Sequence, residues 1–235
     1  MKRRIWELDV ARGACLLLMF YCHIVYDLVF LFRIVPTVND GGLFQFTTNY
    51  TGILFITLSG ISATLGKHPI KRGLTVFGGG MVVTLTTFLM YKTGFADKGI
   101  MIYFGILHCI GLCMLIWPAF RKLPWWVLIP VGLALICMKD LVQGIYADTY
   151  LLLPFGVYPR YFVTSDYFPL VPCFGYFLIG SGLSRLLYKK KESRLPELRF
   201  FPFNALGFMG RHSLLIYLAH QPILTGFIFV ISLFV

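Results

Sequence analysis

His23 and Asp27 stand four residues apart inside an apolar stretch, LDVARGACLLLMFYCHIVYDLVF, that runs from Leu8 to Phe30. On a helix, residues four apart share a face. A carboxylate bonded to one imidazole nitrogen fixes the tautomer, leaves the other nitrogen free to accept a proton and stabilises the imidazolium that forms. This is a base with its orienting acid, part of a triad with no protein nucleophile in view. The competing reading is a polar contact that fastens this helix to its neighbours. Ionisable groups inside a membrane span are costly, usually face the bundle interior and mark a site. Two of them on one face favour the chemical reading, with Asp27 expected near the outer membrane surface.

Further polar residues punctuate the apolar chain. Arg12 follows Asp9 by three residues, so it either pairs with Asp9 or meets an anionic ligand that enters from the cytoplasm. His108, in FGILHCIGLCML, is expected near mid-membrane. His220, in GRHSLLIYLAHQPIL, lies about 12 Å along its helix from His212. Each of these two histidines is either a hydrogen-bonded packing residue or part of a substrate site. Pro222 frees a backbone carbonyl around Leu218, which predicts a local polar opening beside His220. Arg211 and His212, at the inner interface, either hold phosphate or anchor a helix end. Asp166 opens the sixth apolar segment from outside, as an N-terminal cap or first-turn charge. On the same side as Asp27, it could also receive a polar acceptor. The small residues of LSGISATLG read as close helix packing, since no GxSxG elbow accompanies the serines. The six cysteines make no CxxC pair and fall in or beside apolar segments. Cys109 and Cys113 lie one turn apart without a ligand set, so no metal is predicted.

The elements that carry these residues follow from composition. The chain is 58% hydrophobic and 13% charged, against about 45–50% and about 25% in soluble domains. Only several spanning helices absorb so much apolar surface. The sequence predicts an all-α polytopic membrane bundle, one domain over 1–235, with about seven transmembrane helices near 8–32, 50–66, 73–91, 100–117, 125–141, 167–188 and 206–233. The first reads as a permanent span, too long for a signal-peptide core and without a small-residue cleavage site. Segment 142–166, broken by Pro154, Gly156 and Pro159, reads as interfacial or re-entrant. The net charge of +11 is distributed over short loops, which makes it a topology signal and argues against nucleic acid. With the N-terminus in the cytoplasm, the inner side receives Lys2, Arg3, Arg4, Lys67, Lys71, Arg72, Arg121, Lys122, Lys189, Lys190, Lys191, Arg194 and Arg199. These far outnumber Arg33, Lys92, Lys98, Lys139 and Arg160 outside, as the positive-inside rule requires.

LDVARG followed by His23, then LSGIS, FGILHCIGL, DYFPLVPCFGYFLIG and GRHSLLIYLAHQPIL, resembles the heparan-α-glucosaminide N-acetyltransferase catalytic-domain family. The likeness runs from residue 4 to residue 224, carried by the order and spacing of the motifs and most strongly by the last two. A looser similarity exists to the membrane O-acyltransferases that modify bacterial surface polysaccharides. The resemblance implies transfer of an acetyl group from cytoplasmic acetyl-CoA to a sugar amine or hydroxyl across the membrane. It implies CoA phosphates at the basic inner face near Arg12, Arg72, Arg211 and His212, and a thioester that meets His23 in the outer half. His23 then deprotonates the acceptor or carries the acetyl group, and Asp27 orients His23. Asp166, His108 and His220, singled out by their positions above, are the candidates to address the acceptor. The human-type members are much larger and have a lumenal domain, whereas this chain is nearly bare helices. The expected acceptor is therefore an envelope glycan or glycolipid of a bacterial inner membrane, with lipid and acyl-CoA as partners and a homo-oligomer left open. The rival reading is a proton-coupled transporter with His23, Asp27, His108 and His220 as a relay. A seven-helix receptor is disfavoured by the charge distribution.

Overall fold

A computed structural model describes residues 5–38, 41–196, 198 and 200–234. Lys2, Arg3, Arg4 and Arg199, used above for orientation, lie outside these residues. Among the described residues the regular elements are helices: α1 Trp6–Tyr26, α2 Leu43–Leu65, α3 Pro69–Lys92, α4 Ile106–Phe120, α5 Trp125–Cys137, α6 Lys139–Gln143, α7 Leu170–Leu187, α8 Phe203–Arg211 and α9 Ser213–Ser232. Proline sets several starts. Pro69 opens α3 at its first position, where a missing N–H costs nothing.

Among the described residues, five helical segments are long and apolar enough to cross a membrane: Trp6–Leu31, Pro69–Lys92, Trp125–Gln143, Leu170–Leu187 and Ser213–Ser232. The protein is thus an all-α integral membrane protein. α4 matches the fourth expected span but has only 15 residues. α2 has 23 residues, but Gln45, Thr47, Thr48, Asn49 and Thr51 dilute its apolar character. The last expected span, 206–233, is two helices, because His212 leaves helical geometry at φ −107°, ψ 22°. After α6 ends at Gln143, the rest of segment 142–166 holds one short 3₁₀ turn at Leu153–Phe155 and no helix able to cross.

The burial pattern is that of a lipid-facing bundle. Leu74, Leu85, Ile223 and Phe227 are each more than half exposed, while glycine and serine occupy helix contacts. Without a hydrophobic drive between helices in lipid, small residues that let backbones approach closely carry the association.

The chain divides into two compact units, Met1–Phe55 with Glu192–Val235, and Ile56–Lys191. In the first unit, α8 lies against α1. A Cβ at Gly13 would overlap the Leu206 carbonyl, and one at Gly210 would overlap the Asp9 carbonyl. In the second unit, the end of α2 meets α7 in the same way, Gly60 against the Phe177 carbonyl and Gly180 against the Thr57 carbonyl. Ser181 Oγ donates to the Gly60 carbonyl at 3.1 Å, and Thr64 and Ser184 hydroxyls bond directly. The LSGIS motif is therefore a packing device, as its composition predicts.

Candidate active site

The first unit holds the polar residues of the opening segment. α1 ends at Tyr26 and passes into one π-helical turn, Asp27–Leu31, closed by the Phe32 N–H on the Asp27 carbonyl at 2.8 Å. Such turns recur at functional sites. Asp27 is fully buried among protein side chains. Its carboxylate does not orient His23. It accepts from Gln221 Nε2 at 3.0 and 3.3 Å and from the Thr225 hydroxyl at 3.1 Å. Gln221 Nε2 also donates to Thr225 Oγ1 at 3.2 Å, which closes a ring of three side chains. The reason is the partner helix: Gln221 and Thr225, four apart on α9, present two donors to one carboxylate. A buried carboxylate without such donors would be severely destabilising.

His23 makes its contact with another imidazole. Its ring lies 4.9 Å from the His220 ring, centroid to centroid, at 54°. His220 also stacks on Phe20 at 5.5 Å and meets Tyr217 at 5.3 Å. His220 Nδ1 bonds the Tyr217 carbonyl. A carbonyl only accepts, so the proton of this neutral ring sits on Nδ1 and Nε2 presents a lone pair. That Nε2 is buried and has no partner, and neither has Gln221 Oε1. The polar atoms beside Pro222 are thus side-chain atoms of His220 and Gln221, which α9 turns toward α1.

At the other end of α1, Arg12 Nη1 donates to Asp9 at 3.2 Å, the pairing alternative drawn from their spacing. Arg211 and His212 are exposed at the break between α8 and α9, where His212 Nδ1 donates to the Phe208 carbonyl at 3.0 Å. In the second unit, Arg72 is exposed, and its Nη1 reaches the Ser62 carbonyl near the end of α2 at 3.5 Å.

Asp166 and His108 each accept one backbone N–H at the start of α4. Thr164 and Ser165 hydroxyls donate to the Met101 and Ile100 carbonyls at 2.7 and 2.9 Å, laying segment 164–168 along 100–104. Asp166 Oδ2 then accepts the Ile106 N–H at 3.0 Å. It is a cap, but of α4 rather than of the helix that follows it in sequence. Its second unit neighbour His108 is buried. Nδ1 accepts the Gly105 N–H at 3.2 Å, so the proton is on Nε2, which donates to Thr84 Oγ1 at 3.3 Å. The Thr84 hydroxyl passes its own proton to the Ile102 carbonyl at 2.7 Å. Phe77 and Phe104 flank the ring at 5.4 and 5.6 Å. Both nitrogens of His108 are occupied by the fold. Among the described residues no cluster of three or more His, Cys, Asp or Glu side chains has the geometry of a metal centre. All six cysteines are free thiols.

Residues 4–222 match the family described as heparan-alpha-glucosaminide N-acetyltransferase, catalytic. The chain belongs to that N-acetyltransferase family. No curated protein and no solved structure matches the chain. Family membership implies membrane acetyltransferase activity, and the resemblance read from the motifs is thereby shown. The N-acetyltransferase match takes in His23, Asp27, His220 and Gln221 alike. Sequence reasoning left Gln221 without a role and did not single out Thr225. The available signal was their spacing, two hydrogen-bonding side chains four apart in a lipid-facing helix.

Proposed function

We propose that the protein moves an acetyl group from cytoplasmic acetyl-CoA to a sugar amine or hydroxyl of an extracytoplasmic glycan or glycolipid, in a bacterial inner membrane. One observation carries this reading: an acetyltransferase-family chain holds two imidazoles, His23 and His220, in ring contact between apolar helices. Acyl transfer to an amine or hydroxyl needs a proton acceptor beside the thioester, and a neutral imidazole is the side chain suited to it. In this reading His23 contacts the reacting groups. Asp27 is a positioning residue that acts through Gln221 and Thr225. The exposed Arg211 and His212 are the groups offered to the CoA phosphates, which cannot enter lipid. Arg12 lies on the same unit but already neutralises Asp9. Arg72, His108 and Asp166 are left to the fold.

The test uses full-length protein in lipid nanodiscs with radiolabelled acetyl-CoA and either glucosamine or a bacterial glycolipid extract. Label passes to the acceptor, and His23→Ala lowers the rate at least tenfold while the protein still folds. Absence of acetyl-CoA binding, with proton flux in its place, moves the assignment to the transporter. Turnover unchanged by His23→Ala keeps the enzyme and removes His23.

A further inference from the structure

His220 has a nitrogen that the fold leaves without a partner. Two polar atoms of adjacent residues on α9, His220 Nε2 and Gln221 Oε1, are buried and unpaired, and both are acceptors. For His220 this follows from Nδ1–H on the Tyr217 carbonyl. For Gln221 it follows from its amide NH₂, which serves the Asp27 carboxylate and Thr225 and so assigns the amide orientation. Leaving a buried acceptor unpaired costs about 1–3 kcal/mol, and native proteins keep few such groups. A ligand with N–H or O–H bonds removes that cost at both atoms. His108 is the contrast within the same chain, since both its nitrogens are taken.

We infer that His220 Nε2 is the general base of the transfer, receiving the N–H or O–H of the acceptor, with Gln221 Oε1 as a second acceptor for its donors. This deepens the proposed acetyl transfer and rests on it. The acceptor's nitrogen or oxygen attacks the thioester carbonyl carbon, a C–N or C–O bond forms and the C–S bond breaks. The acceptor's proton passes to His220 Nε2, and the imidazolium returns it to the departing thiolate, which leaves as CoA thiol. The Tyr217 carbonyl holds the reactive tautomer, the office that sequence reasoning gave to Asp27. His220 is then a catalytic residue, and base catalysis of this kind is worth about 10²–10⁴-fold.

Two measurements test it on the full chain in nanodiscs. The first is acetyl transfer to glucosamine by His220→Ala, expected to fall about 10²–10⁴-fold and to recover at least tenfold with added imidazole. His220→Gln, which keeps a hydrogen-bonding side chain, is expected to melt like the wild type and stay inactive. Transfer by His220→Ala within threefold of the wild type, or a loss that imidazole does not repair, overturns the assignment. The second measurement does not need activity. Diethylpyrocarbonate, which attacks unprotonated imidazole nitrogens, labels His220 ahead of His108 by mass spectrometry, and saturating glucosamine slows only the former. Labelling of His108 ahead of His220 overturns the free lone pair. A wild type that transfers no acetyl group removes the acetyltransferase proposal, and the labelling order then decides whether His220 presents a base.

Discussion

Asp27 and Asp166 show two ways for a carboxylate to persist away from bulk water. Asp27 has two side-chain donors on a helix almost two hundred residues later in the chain. Asp166 has one backbone N–H, from Ile106. Burial pushes the Asp166 carboxyl up to about 6, while that hydrogen bond pulls the other way. Its ordinary value is 3.8, so the folded state favours the protonated form. Its contribution to stability is therefore fully present below about pH 4 and lost as pH rises through about 6. Asp166→Asn keeps an oxygen for the Ile106 N–H without the charge. Its melting temperature should match the wild type near pH 4 and gain on it progressively up to pH 7. A constant difference across that range would show that the carboxyl does not titrate there. That Asp166 caps something was legible from its place before an apolar run. That it caps α4 was not, because the pairing depends on segment 164–168 lying along 100–104.

At the scale of elements, the helices meet where side chains are smallest. The period of the apolar pattern predicts where helices run, but not where their geometry breaks or changes. The last apolar run breaks at His212, and α8, the helix before the break, lies against α1 through Gly13 and Gly210. The first run ends in a π turn that begins at Asp27. Gly60 and Gly180 give the packing prediction. A methyl group at either would overlap a backbone carbonyl of the opposing helix, and overpacking typically costs about 1–3 kcal/mol, occasionally more. Gly60→Ala and Gly180→Ala should lower the melting temperature in detergent by several degrees or abolish folded protein. Gly78→Ala and Gly226→Ala, with nothing within 4 Å of the new methyl, should be neutral or slightly stabilising, as alanine favours a helix by about 1 kcal/mol over glycine. Equal losses at all four positions would deny the close contact its role.

For the whole molecule, the outward display of leucine, isoleucine and phenylalanine on α3 and α9 is what a lipid environment demands. The asymmetry of lysine and arginine gives the orientation its test. We expect a membrane-impermeant amine reagent, applied to right-side-out vesicles, to modify Lys98 and Lys139 and to spare Lys67 and Lys189. The reverse pattern would turn the protein over and put the CoA-facing groups on the wrong side. The sequence by itself determined the membrane class, the helical content and the family, because each rests on local composition, on period or on motif order along the chain. It also named His23, Asp27, His108, Asp166 and His220 as the residues to watch. Only the tertiary structure decided their partners: Asp27 to Gln221 and Thr225, His23 to His220, Asp166 to Ile106, His108 to Gly105 and Thr84. The physical reason is that a hydrogen bond is settled within about 3 Å, by groups that sequence separation alone does not bring together.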